Sequence, residues 1–153
     1  MAKISKISNT VNIENRRARF DYQFLDTLTA GMVLKGTEIK SIREGKAGLA
    51  DSYCYFKNDE LFVRNFHISE YEDASFYNHE ALRERKLLLS RQELNKWLKK
   101  VKDQGLTIVP TKLFISEKGF AKLNIALAKG KKSYDKRDDI KKRDIEREMN
   151  RKF

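Results

Sequence analysis

The sequence predicts a mainly β domain with inserted α-helices, closed into a small antiparallel barrel and flanked by basic arms. Three observations predict it. Two pairs of apolar, aromatic-rich runs face each other across turn-forming residues, as hairpins do. One segment carries a full set of helix start, face and stop signals. The charge is also uneven. The 153 residues have a formal net charge of +11, yet residues 20–128 hold 17 basic and 15 acidic side chains. Residues 1–19 hold five basic and one acidic, and residues 129–153 hold 11 basic and six acidic. A nearly balanced body with two basic ends is a common way to hold a polyanion.

Taken in order, residues 1–14 offer only Ile4, Ile7, Val11 and Ile13 among small polar residues, and a flexible arm is expected there. The folded domain is expected over 15–129. Phe20, Tyr22 and Phe24 alternate with Arg19, Asp21 and Gln23, the period of a half-buried strand. Over 30–44, Met32, Val33, Ile39 and Ile42 fall on one helical arc, with Thr29 placed to cap and Gly45 to terminate. Residues 53–57 and 61–66 read as a hairpin around Asn58-Asp59, two residue types that tolerate left-handed backbone. Residues 67–84 have no clear period and read as a long loop.

The strongest helix is 91–103. Ser90 and Glu93 form a capping box, Leu89 and Leu94 a staple, and Gly105 a stop. Leu94, Trp97, Leu98 and Val101 follow at i, i+3, i+4, i+7. Residues 106–116 and 120–128 form a second hairpin around Glu117-Lys118-Gly119, and Pro110, lacking a donor, marks an edge or a bulge. Five or six strands with one or two helices in about 110 residues fit a closed OB-fold-like barrel.

Composition narrows the function classes. No apolar run approaches the ~20 residues that span a bilayer. The N-terminus lacks the apolar stretch of a secretory leader. Cys54, the single cysteine, suits a reducing cytosol and reads as core, so a cytoplasmic protein is expected. Chemistry is poorly represented. Glu70, Glu72 and Asp73 form a loose acidic group that reads as a solvated loop. His67 and His79 lack metal-ligand spacing and read as surface or packing residues. Gly45-Lys46-Ala47-Gly48 is too short for a phosphate loop and reads as a turn. Neither a catalytic set nor a metal or cofactor site is expected.

Basic clusters remain. Arg16, Arg17 and Arg19 precede the first strand, and Arg83, Arg85 and Lys86 precede Leu87-Leu88-Leu89. Guanidinium forks suit phosphate contacts and base stacking. The tail, residues 130–153, places Tyr134, Ile145, Met149 and Phe153 within one arc of about 100°, with charge elsewhere. Pairs such as Asp138–Lys142 and Asp139–Arg143 support a helix. The apolar surface is too small to offset ordering entropy alone. The tail is therefore expected to be disordered when free and helical on a partner.

The order of motifs resembles the SmpB family. Asn15-Arg16-Arg17-Ala18-Arg19 comes first, then Gly36-Thr37-Glu38-Ile39-Lys40-Ser41, Gly45-Lys46-Ala47 and Asp51-Ser52-Tyr53. Arg85-Lys86-Leu87-Leu88-Leu89 follows, and the last block runs from Ala128 through Gly130-Lys131-Lys132 to Asp135-Lys136-Arg137, Ile140 and Lys141. The resemblance covers roughly residues 9–147. It implies an OB-like barrel that binds the tRNA-like domain of transfer-messenger RNA (tmRNA) as a monomer and carries it to stalled ribosomes. The stalled peptide is then tagged for degradation. It implies that Asn15, Arg16, Arg17, Arg19, Glu38, Lys40, Arg85, Lys86 and Leu88 lie on the tRNA-like domain.

The resemblance likewise implies that Lys131, Lys132, Tyr134, Asp135, Lys136 and Arg137 lie near the small-subunit decoding centre of the 70S ribosome. Ile140, Lys141, Lys142, Arg143, Ile145 and Met149 would follow the mRNA channel. Elongation factor Tu and alanyl-tRNA synthetase are implied as helpers through tmRNA. The chain departs from many relatives at Thr29, where they carry Glu, at Phe20, where they carry His, and at Tyr134, where some have His. A general single-stranded RNA-binding OB-fold protein is the alternative reading. The two differ in whether unstructured RNA competes with the folded RNA.

Overall fold

A computed structural model describes residues 11–72, 74, 78–131, 140, 141, 143–145 and 147. Expectations for residues 1–10, Asp73, Lys132, Tyr134, Asp135, Lys136, Arg137, Asp138, Asp139, Lys142, Met149 and Phe153 lie outside them.

The body is mainly β with a few helices. Nine strands and three helices are described. They are β1 (Asn12–Glu14), α1 (Arg16–Asp21), β2 (Tyr22–Met32), α2 (Gly36–Arg43), β3 (Ala47–Gly48), β4 (Tyr53–Lys57), β5 (Glu60–Arg64), β6 (His67–Ile68), β7 (Arg85–Leu88), α3 (Arg91–Gln104), β8 (Thr107–Ile115) and β9 (Ala121–Gly130). All pairings are antiparallel. The main sheet runs β8-β4-β5-β7-β2-β9, and β9 pairs back onto β8, so the strands form a ring with β1 added to β8. β3 and β6 form a separate small pair. Ring closure leaves few unpaired edges.

Three elements follow their local signals. In α3 the Ser90 side chain accepts from Glu93 N–H, the Glu93 carboxylate accepts from Ser90 N–H, and Gly105 ends the helix at φ 63°. Leu94 and Trp97 are its buried face. The β4–β5 hairpin turns at Asn58 and Asp59, whose φ values of 52° and 62° are the left-handed pair a tight hairpin requires. β8 and β9 pair along most of their length, and the register shifts between Pro110 and Lys112, where proline cannot donate.

Three elements differ from expectation. Residues 16–21 are helical, so Phe20 belongs to α1 and the strand begins at Tyr22. The cause is Asn15, whose carboxamide oxygen accepts from Ala18 N–H and caps the helix. The helix expected over 30–44 begins only at Gly36. Residues 30–32 extend β2, because Ala30 and Gly31 pair with Leu123 and Lys122 of β9. The helix is capped by the Glu38 carboxylate on Lys35 N–H, not by Thr29. Residues 12–14, expected within a flexible arm, form a strand: Asn12–Glu14 pair with β8, and Val11 and Ile13 pack on the core. Partial burial of these two apolar side chains, worth a fraction of the about 1.5–3 kcal/mol of full burial, adds to the pairing with β8 in holding the segment.

The core fills the ring. It includes Ile42, Leu61, Val63, Phe66, Leu87, Trp97, Leu113, Leu123 and Ile125, with Cys54 buried among them. The 67–84 segment is irregular in its described residues apart from β6, and buried His79 ties it down. His79 Nε2 donates to the Ile68 carbonyl at 2.9 Å, leaving Nδ1 to accept from the Thr37 hydroxyl at 2.9 Å. His67, by contrast, is exposed.

Candidate nucleic-acid interface

The first group of expected RNA contacts is built on α1. Asn15 is buried, and its side chain does more than cap. Its Nδ2 donates to the Pro110 carbonyl at 2.8 Å and to the Leu49 carbonyl at 3.3 Å, while its backbone N–H donates to Thr111. Ala18 packs against Val109, Ala126 and Ala128. The short helix is therefore bolted to β8 and β9 through one polar and one small side chain. Arg16, Arg17 and Arg19 are left pointing outward. Arg17 pairs with Asp51 at 3.1 Å and Asp21 at 3.6 Å. Arg16 and Arg19 have no ion pair among the described residues.

The second group separates into buried and exposed members. Glu38 and Arg85 are both fully buried and form an ion pair, Arg85 Nε to Glu38 Oε2 at 2.5 Å. Arg83 Nη2 meets Glu38 Oε1 at 2.6 Å. Arg85 also donates to the carbonyls of Phe66, Glu80 and Ala81. Burial alone would raise the Glu38 pKa; the Arg83 hydrogen bond, the Lys35 N–H and the Arg85 charge outweigh it and hold the carboxyl below its ordinary value. Desolvation pulls the Arg85 pKa down. Asn15, Glu38 and Arg85 are thus internal, and in this conformation no RNA atom reaches Glu38 or Arg85. A motif in sequence order reveals residue type, not side-chain direction. These residues hold the elements that carry the exposed ones.

The exposed members lie elsewhere. Lys40 is at the surface, its Nζ 5.5 Å from the Tyr71 ring. Lys86 points outward beside Glu60, and Leu88 is 50% exposed. Leu88 borders a groove of about 400 Å³ lined by Gly31, Met32, Ile39 and Phe120, with Arg43, Lys118 and Lys122 around it. Gly31 lies in the floor of this groove beside Leu88, where a Cβ would stand 3.4 Å from the Leu88 Cβ, an ordinary van der Waals contact. Phe120 is 62% exposed. An aromatic ring so displayed, among cations, suits a base or sugar as well as phosphates. The sequence reading missed the groove; the available signal was an aromatic residue directly after the Glu117-Lys118-Gly119 turn.

β2 joins α1 to the groove. It starts at Tyr22, next to α1, and ends at Gly31–Met32, in the groove. Its 11 residues span a contour of about 35 Å. The two groups of expected contacts therefore lie at opposite ends of one strand. Thr29 is exposed near the groove end, with its hydroxyl donating to Asn124 Oδ1 at 2.7 Å.

The tail leaves at the α1 end. Lys131 N–H donates to the Asp21 carbonyl at 2.9 Å. The tail residues described, 140, 141, 143–145 and 147, are helical. The Arg143 guanidinium lies 5.1 Å from the Phe20 ring. Ile140 and Ile145 remain 46% and 56% exposed, so this segment is not part of the core.

Among the described residues, no three His, Cys, Asp or Glu side chains come together as a metal set, and no helix is long and apolar enough to cross a membrane. Glu70 and Glu72 are exposed, and Glu72 pairs with Lys46 at 3.5 Å.

Comparison with known proteins places the chain. The model of the SmpB protein family matches residues 12–153. An SsrA-binding protein of Phocaeicola vulgatus is 62% identical over 143 residues, 94% of this chain and 95% of the relative. That of Bacteroides thetaiotaomicron is 60% identical over 144 residues, covering 94% and 96%. A solved structure described as "tmRNA-SmpB: a journey to the center of the bacterial ribosome" has a TM-score of 0.68 and 47% identity, covering 81% of this chain and 87% of that one. With arginines fixed outward on α1, an aromatic and basic groove at the far end of β2, and a family match over nearly the whole length, the chain belongs to the SmpB family.

Proposed function

We propose that this chain is the tmRNA-binding adaptor of trans-translation. It binds the tRNA-like domain of tmRNA, delivers it to stalled ribosomes, and places its C-terminal tail in the decoding centre and mRNA channel. The ribosome is rescued and the nascent peptide is tagged. The ring of strands acts as an OB-like barrel in the cytoplasm, and it works by binding rather than by catalysis.

The observation that carries this reading is the outward display of Arg16, Arg17 and Arg19 on a short helix anchored by buried Asn15, at the end of the molecule from which the tail departs. A helix backbone already fixed leaves only the arginine side chains to be ordered on meeting phosphates. Lys40, Lys86 and Leu88 add contacts along the body; Asn15, Glu38 and Arg85 act by positioning. Lys131, Lys132, Tyr134, Asp135, Lys136 and Arg137 serve the decoding centre. Ile140, Lys141, Lys142, Arg143, Ile145 and Met149 follow the channel as a helix. Membership of the SmpB family and the 62% identical SsrA-binding relative support the assignment.

The test is titration of the folded tRNA-like domain across salt concentrations, beside an unstructured competitor. Neutralising about five phosphates gives a log–log slope of roughly −3.5 to −4.5. A flat salt response, or equal affinity for the competitor, would remove the reading.

A further inference from the structure

The outer face of β4, β5 and β7 carries a row of half-buried aromatic rings among cations. Alternation along β4 and β5 sends Cys54, Leu61 and Val63 into the core and Tyr53, Tyr55, Phe62 and Arg64 outward. The register places Tyr53 opposite Arg64 and Tyr55 opposite Phe62, and Phe62 opposite Lys86 of β7. The rings form a row, Tyr53 to Tyr55 at 6.3 Å between centroids and Tyr55 to Phe62 at 6.2 Å. Cations sit on the row: the Arg64 guanidinium is 5.0 Å from the Tyr55 ring, and Lys57 Nζ is 5.9 Å from the Phe62 ring.

Two carboxylates share this face, and both are engaged. Glu60 pairs with Arg91 at 2.5 Å and lies 3.9 Å from Lys86; Glu84 accepts from the Tyr55 hydroxyl and lies 3.7 Å from Arg64. The local balance of Lys57, Arg64, Lys86 and Arg91 against Glu60 and Glu84 is positive. The row is also continuous with α1, because Tyr53 lines a cleft of about 350 Å³ together with Arg17, Asp21 and Tyr22.

Core packing does not require three aromatic rings on the solvent side, and aromatic–cation alternation on a sheet suits one ligand chemistry. Bases stack on the rings and on the guanidinium plane while the cations meet the backbone, with little dependence on sequence. We infer that the outer face of β4, β5 and β7 is a second RNA contact, a stacking platform for unpaired nucleobases built on Tyr53, Tyr55, Phe62 and Arg64. The platform is distinct from the Leu88–Phe120 groove and does not depend on the adaptor reading.

The test uses the full chain, a labelled oligouridine of about twelve nucleotides, and the tRNA-like domain, all at one salt concentration. Tyr55→Leu/Phe62→Leu keeps an apolar body on the pleat but removes the π faces. The expected result is a loss of about tenfold in oligouridine affinity with the affinity for the tRNA-like domain within about twofold of wild type. Unchanged oligouridine affinity, or equal losses for both RNAs, would overturn the inference. Photo-crosslinking of wild-type protein to a 4-thiouridine oligonucleotide covers the case of an unstable variant. Crosslinks on β4 and β5 support the platform, and crosslinks confined to α1 and the tail refute it. Oligouridine bound through this face with the tRNA-like domain ignored would keep the platform and sink the adaptor reading.

Discussion

Arg85 Nε stands 2.5 Å from Glu38 Oε2 with both side chains fully shielded from solvent, so a strand and a helix distant in sequence are joined by a buried charge pair. Arg83, partly exposed, is the third member. Removing one partner of such a pair leaves the other charge buried and uncompensated. Glu38→Gln or Arg85→Met should each destabilise the fold by about 3–5 kcal/mol in chemical denaturation. Glu38→Leu/Arg85→Met should lose less than the two single losses added together, which a double-mutant cycle measures.

The same carboxyl sets an acid limit. Its folded pKa lies below the ordinary value of 4.5, so the unfolded chain binds that proton more readily. The stabilisation is complete above pH 4.5 and is lost as pH falls through the depressed folded value. Asp26 acts in the same direction, lowered chiefly by the hydrogen bond from Trp97 Nε1 at 3.0 Å. Melting temperature should be level near neutral pH and fall below about pH 4.5, and less steeply in Glu38→Gln.

Asn15 offers a test of positioning. Asn15→Ala removes a helix cap, worth about 1 kcal/mol, and takes the side-chain donor from the buried Pro110 carbonyl, while the Leu49 carbonyl keeps the Ser52 N–H and hydroxyl, for a total of about 2–3 kcal/mol. Asn15→Asp keeps the acceptor for Ala18 N–H but faces two carbonyls with no proton to donate, so it should be at least as unstable. Under conditions where Asn15→Ala stays folded, affinity for the tRNA-like domain should fall although no contact residue has changed. Affinity equal to wild type would refute the positioning role.

Cys54 should be chemically silent. Burial pushes its thiol well above the ordinary 9.0, and only the thiolate is nucleophilic. Iodoacetamide at about pH 8 should label denatured protein fully and native protein negligibly. Rapid native labelling, read by mass spectrometry, would contradict the placement of β4 in the core.

The tail and body should separate functionally. Ending the chain after Lys131 preserves its hydrogen bond to Asp21 and all of β9. The shortened protein should bind the tRNA-like domain with affinity near wild type and fail to support peptide tagging on stalled ribosomes. The isolated segment 130–153 should show little helix by circular dichroism in buffer, because so short a segment lacks tertiary support.

Legibility in the sequence followed the range of the interactions. Helix α3 could be read because Ser90, Glu93 and Gly105 act within one or two turns. The β4–β5 hairpin could be read because its two left-handed residues are adjacent. Helix α1 was ambiguous: the alternation of Phe20, Tyr22 and Phe24 favours a strand, the Asn15 cap on Ala18 N–H favours a helix, and Asn15 contacts to residues 34 and 95 positions away decide between them. Residues 30–32 failed likewise, since pairing with β9 outweighs a local apolar arc.

The sequence by itself determined the mainly β character, the separation of charge between body and arms, the capped third helix and the family resemblance, because these are carried by composition and by contacts among near neighbours. Only the tertiary structure decided which residues of the shared motifs face outward. Arg16, Arg17, Arg19, Lys86 and Leu88 do, while Asn15, Glu38 and Arg85 are spent inside. It also decided that Phe120 and Leu88, 32 positions apart, border one groove. The physical reason is that ring closure, which no local segment encodes, fixes which side of each strand is desolvated, and a polar side chain turned inward survives only with partners supplied by distant strands.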